Sequence, residues 1–181
     1  MPVLGTSTLI REQLYSTGTN ASLASKTGTT YVTIPLGGSN YTGDRKTGNA
    51  NLCTFEKQNS NSYLLVDITF PAYLATGAQG TGVRMHHSTD DTTYYTDALD
   101  NGPAHRWGMF GYGGNTAYIC RMMWDSRQLD LQRSSGITAH TGTWYFYFQT
   151  ANWNTTDILF FLQYNASYPK YGTISVREYL A

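Results

Sequence analysis

GTWYFYFQT at residues 142–150, DILFFLQYN at 157–165 and YGTISVREYL at 171–180 are three runs dense in aromatic and β-branched side chains, separated by short polar stretches. Residues of this kind fit a pleated surface and lose rotamer freedom in a helix, so the three runs read as strands of an all-β domain, the last of them central to its core. No helical pattern competes over this region.

Working back along the chain, YLLVDITF at 63–70 alternates cleanly. Leu64, Val66, Ile68 and Phe70 fall on one face and Leu65, Asp67 and Thr69 on the other, with Pro71 expected to end the strand. Further strand signals occur at 30–36, 51–57, 81–88, 93–98, 105–110, 116–124 and 128–132, bounded by Gly, Asn, Asp and Ser. Nine to eleven strands are too many for one flat sheet in a chain of 181 residues. The expectation is a jelly-roll-like antiparallel β-sandwich over 29–181, preceded by a short extended arm over 1–28. Within the arm, IREQLY at 10–15 suits either a helical turn or an extended segment, and its few apolar residues need a neighbour to cover them.

Composition narrows the function. Charged residues are 13% of the chain, twelve basic against twelve acidic and scattered, which gives no electrostatic footprint for nucleic acid. The one basic cluster, Arg45-Lys46, carries its counter-charge in Asp44 and reads as a solvated loop. The first residues lack the charged and apolar regions of a signal peptide, and no apolar run is long enough to span a membrane, so a soluble product with no membrane partner is expected. Cys53 and Cys120 stand far apart with no metal-type spacing; they read as two buried thiols, with a disulfide between them as the alternative.

Candidate chemistry is sparse. His86-His87 followed by Asp90-Asp91 has the ligand types of a metal site, but adjacent strand residues point to opposite faces and STDDT at 88–92 reads as a turn. DALDNG at 97–102 lacks the ligand spacing of an EF-hand. There is no nucleophile elbow, no phosphate loop, and no pair of carboxylates nominated by spacing, the only glutamates being Glu12, Glu56 and Glu178. Neither enzyme activity nor a cofactor is expected. The loop-borne rings Tyr94, Tyr95, Trp107, Tyr112 and Trp153 lie beside Gly, Asn and Asp, a setting suited to subunit contacts or to the faces of a host surface glycan. Apolar residues on both faces of 144–148 and 158–162 suggest strands buried in the core and also against a second subunit.

The segment SYLLVDITF at 62–70, the pair of strands at 143–150 and 158–165, and the ending GTISVREYL at 172–180 together resemble the small β-sandwich virion proteins of tailed bacteriophages. That resemblance implies a homotrimer of jelly-roll or tumour-necrosis-factor-like architecture in the virion, assembled in the host cytoplasm. It implies one of two roles: a decoration or cement protein bound to the major capsid protein or another virion protein, or the receptor- or glycan-binding tip of a tail or head fibre. With only some 28 residues ahead of the first expected strand, there is no room for the shaft of a fibre, which favours the decoration role. Val3, Leu4, Ile10 and Leu14 are then the arm residues expected to touch the shell or a neighbouring copy.

Overall fold

A computed structural model describes residues 7–16, 26–27, 32–33, 52–76, 81–96, 107–109, 116–127, 137–152, 158–161 and 172–180. Twelve strands follow in chain order: β1 (Thr8–Ser16), β2 (Lys26–Thr27), β3 (Val32–Thr33), β4 (Cys53–Lys57), β5 (Ser62–Thr76), β6 (Thr81–Ser88), β7 (Tyr95–Thr96), β8 (Trp107–Met109), β9 (Thr116–Asp125), β10 (Gly142–Asn152), β11 (Ile158–Phe161) and β12 (Thr173–Leu180). A single turn of 3-10 helix, Ile137–Ala139, precedes β10. The strands form two six-stranded antiparallel sheets, and the molecule is the all-β, jelly-roll-like sandwich expected from the sequence.

The spine of the first sheet is β5. Residues 65–74 of β5 pair with β9 on one edge, while the other edge is shared, β12 pairing with 62–69 and β11 with 72–76. β5 therefore runs through Pro71 to Thr76, past the expected stop. Pro71 falls between the last β12 pair, at Thr69, and the first β11 pair, at Ala72. In that gap a residue without an N–H leaves no ladder bond unmade on the shared edge. β12 lies between β1 and β5, the central position expected for it.

The spine of the second sheet is β10, with β6 along one edge and β4 and β3 along the other. Its entry is set by Gly142, whose φ of +103° is a conformation that disfavours any side chain. One face of each sheet meets the other in a single core. Leu64, Val66 and Ile68 of β5, Trp124 of β9, and Ile174 and Val176 of β12 pack against Cys53 and Phe55 of β4, Met85 of β6, and Trp144, Phe146 and Phe148 of β10. Each large side chain so buried contributes roughly 1.5–3 kcal/mol. Burial raises the pKa of the Cys53 thiol, and Cys53 is a free cysteine.

Residues 8–16 of the expected arm are an integral edge strand, paired with β12 along its length with a bulge at Ile10. The ambiguity of IREQLY resolves to the extended form because β12 offers an open edge to which it can pair. Two side chains of β1 then cross to the other sheet. The Tyr15 hydroxyl accepts from the Thr54 N–H at 3.0 Å and donates to the Thr54 carbonyl, and Arg11 donates to the Glu56 carbonyl at 3.2 Å. These bonds satisfy main-chain groups on the free edge of β4, which closes one side of the sandwich.

One end of the core is polar. Glu178, fully buried on β12, accepts from the N–H of Gln58 at 3.1 Å, from the N–H of Asn59 at 2.9 Å and from the Ser62 hydroxyl. Buried Lys57 donates to the Asn59 carbonyl at 2.5 Å. The turn leading into β5 is thus fastened by a carboxylate on β12, a strand more than one hundred residues later in the chain.

Candidate interaction surface

The two outer faces of the sandwich differ, and the difference locates the site. On the second sheet the outward residues of β10 are themselves covered. Tyr147 is only 4% exposed, its ring stacked on His86 at 4.3 Å between centroids with Tyr94 against its edge. The side-chain oxygen of Gln149 accepts from Arg84 Nε at 2.9 Å and Nη2 at 2.6 Å and is in hydrogen-bond contact with His86 Nε2 at 2.9 Å. Because that oxygen only accepts, His86 carries its proton on Nε2. Gln149 in turn donates to Thr33 of β3 at 3.4 Å. The double-faced aromatic run of β10, which the sequence reading assigns partly to a second subunit, is buried on both faces within one chain except at half-buried Tyr145. A polar and aromatic layer of the chain's own residues does the covering.

The outer face of the first sheet carries the exposed apolar groups. Registers across β1, β12, β5 and β9 place Leu14, Ser175, Asp67 and Met123 in one row. Leu14 is 67% and Met123 56% exposed, at the two ends of that row and about 14 Å apart by strand spacing. The next row is Glu12, Arg177, Leu65 and Asp125, in which Arg177 Nε meets Glu12 at 2.8 Å and Asp125 is held by Arg127 at 2.5 Å. The third holds Leu9, 47% exposed, opposite Tyr179, whose ring stacks on Tyr63 at 5.6 Å, with the Arg127 guanidinium over the Tyr63 ring at 3.8 Å. Ile10, bulged out of β1, is exposed at this end, and Leu180, exposed too, lies by alternation on the opposite face from Tyr179. The bonds from Arg177 and Ser175 hold the Glu12 carboxyl below its ordinary pKa. The face is therefore aliphatic at its margins and internally charge-neutralised at its centre, suited to a protein surface rather than to a charged small molecule.

The structure brings together two of the arm residues expected to touch a partner, Ile10 and Leu14, on exposed parts of β1. Leu9 and Met123 join them on the outer face; Leu9 is the neighbour of an expected residue, but Met123 sits in an apolar run whose outward member is fixed only by the sheet register. Of the aromatic candidates, Tyr94 and Tyr95 have described side chains, and they point to different faces. Tyr94 packs on Tyr147 at the outer face, and Tyr95, 44% exposed, has its ring 5.9 Å from His87 in the core. Trp107 lies in β8 opposite Val83. Val3, Leu4, Tyr112, Trp153, the loop at 97–102, the basic cluster at 45–46 and the expected strand at 128–132 lie outside the described residues.

His86 and His87 point to opposite faces as expected: His87 is buried among the rings of Trp124 and Trp144, 5.6 and 6.3 Å away. Asp90 caps the following turn, accepting from the N–H groups of Thr92 and Thr93 and from the Ser88 hydroxyl, which lowers its pKa. Among the described residues no cluster of three His, Cys, Asp or Glu is placed to hold a metal ion.

No protein-family model matches the chain, and no curated protein matches it. Among solved structures, it is similar to a structure of the infectious bursal disease virus Gt strain, with a TM-score of 0.42 and 10% identity over 96% of this chain. It is also similar to a structure of the Gx strain, TM-score 0.39 and 13% identity over 96% of this chain. A third is a mutant VP2 protein of the same virus in derived T=1 particles, TM-score 0.42 and 10% identity over 94% of this chain. The chain spans 39%, 39% and 40% of those three chains.

Proposed function

We propose that this chain is a structural protein of a virus particle: a homotrimeric decoration or cement protein of the tailed-phage type, without enzymatic activity, that binds the assembled shell through the outer face of its first sheet. The observation that carries this reading is the exposed aliphatic margin formed by Leu9, Ile10, Leu14 and Met123 around a neutralised centre. The segments that carry the resemblance to phage virion proteins, at 62–70, 143–150, 158–165 and 172–180, take in the first part of β5, most of β10, and β11 and β12.

The physical logic of cementing is mass action. A protein that binds the assembled shell and not its separated subunits stabilises the shell by its binding free energy, without altering the shell's own contacts. A face of rigid strands with exposed aliphatic residues supplies buried area at low ordering cost.

The test is to add purified chain to particles of its own virus that lack it. Co-sedimentation with the shell, and an upward shift in the temperature at which the particles release their genome, are expected. Loss of both on Leu9→Asp with Leu14→Asp is expected too. A wild-type chain that stays in the supernatant at micromolar concentration contradicts the proposal.

A further inference from the structure

We infer that β1 is an exchangeable strand: in the assembled form it leaves its own chain and occupies the same slot, between β12 and β4, in a second copy of this chain. The inference rests on the reading of the chain as a self-associating virion protein and says how the copies are joined.

The slot is addressed by sequence but carries little of the core. The buried cluster draws its members from β4, β5, β6, β9, β10 and β12; among the described residues, β1 adds the Tyr15 ring packed against it and the Arg11 guanidinium 5.4 Å over the Phe55 ring. What holds β1 is the main-chain ladder to β12, the pair of Glu12 with Arg177 and Ser175, and the bonds of Tyr15 and Arg11 to the main chain of Thr54 and Glu56. That is the anatomy of strand addition: backbone bonds supply affinity and alternate side chains supply register. Any second copy presents an identical strand, so exchange remakes every one of these contacts in trans.

The connection leaves room for it. β1 and β2 both run parallel to β5 on the same side, two strands out. Ser16 lies level with Thr69 through Thr173, and Lys26 level with Leu74 through Leu159. A gap of five residue levels is about 17 Å at the rise of a strand. The ten chain steps from Ser16 to Lys26 can extend to about 33 Å. Their sequence, TGTNASLAS, contains no charged residue and no proline. The surplus amounts to about three strand spacings, enough to reach the matching edge of a copy lying alongside. Leu9, Ile10 and Leu14, exposed on β1, travel with it to the second copy.

Glu12→Cys with Arg177→Cys places two thiols at directly paired positions of β1 and β12, at the Cα separation a disulfide needs. The double variant is oxidised in the assembled oligomer and run on a denaturing, non-reducing gel, with Glu12→Cys alone as the control for the native thiols. Exchange predicts covalently linked chains from the double variant only, and linked peptides of mixed isotope when labelled and unlabelled chains assemble together. Leu14→Cys with Ser175→Cys, the next pair along, serves if the first variant does not fold. Bridges confined to single chains in an oligomer of demonstrated mass overturn the exchange while leaving shell binding intact. A chain that binds shells only as a monomer also overturns it. Failure of shell binding with interchain bridges present contradicts the proposed function and not this inference.

Discussion

The outer faces of the two sheets are both built on strands with apolar residues on each side, yet the described part of one is covered and the other is open at its margins. On the second sheet, Tyr147 and Gln149 vanish beneath rings and a hydrogen-bond network supplied by β6, β3 and the residues before β7. On the first, Leu14 and Met123 stand open at the ends of a row whose middle members, Ser175 and Asp67, are buried. The lesson is that hydrophobic surplus counted along a strand does not locate an interface. GTWYFYFQT is the greasiest run in the chain and is satisfied internally, whereas the modest TLIREQLYS leaves its leucines in water.

The contrast can be broken by substitution. Tyr147→Ala empties a buried, stacked site and is expected to lower stability by about 3 kcal/mol, read from the midpoint of chemical denaturation. A value near zero would mean that the outer layer of the second sheet is not packed as described. Gln149→Leu removes the oxygen on which Arg84 and His86 converge and is expected to cost about 2 kcal/mol, since buried donors lose their acceptor while the volume is kept. Tyr15→Phe keeps the ring but removes both bonds to Thr54, an expected loss of about 1 kcal/mol, with faster amide exchange at Thr54 as the local readout.

On the open face the expectation is reversed. Leu14→Ser should change folding stability by no more than about 0.5 kcal/mol while weakening attachment to the particle, measured by co-sedimentation. The smallest effect is in acid. The carboxyls of Glu12 and Asp90 have lowered folded-state pKa values, so the stability they contribute is present above the ordinary carboxylate range and is lost as pH falls through their lowered values. Glu12→Gln with Asp90→Asn should lower stability slightly near neutrality and flatten the acid limb of the profile, variant and parent converging in strong acid.

Much of the framework was legible in residue pattern. The alternation at 63–70 set Leu64, Val66 and Ile68, which the fold turns inward, apart from Leu65, Asp67 and Thr69, and the split of His86 from His87 followed from strand geometry alone. What could not be read depends on neighbours distant in sequence. Pro71 is tolerated because two separate strands abut beside it. IREQLY is a strand because β12 is there to pair with it, and Glu178 is buried because the turn at 58–62 offers it two N–H groups. Met123 had the same obstacle: which member of Arg121-Met-Met-Trp faces outward is decided by the register with β5.

The placement of β12 orders events during synthesis. Thr8–Ser16 has its partner in Thr173–Leu180, which leaves the ribosome well over one hundred residues later. The turn ahead of β5 likewise waits for Glu178. A growing chain therefore holds Thr8–Ser16 without this partner, with Leu9 and Leu14 in reach of other nascent copies on the same message, until Thr173–Leu180 is free.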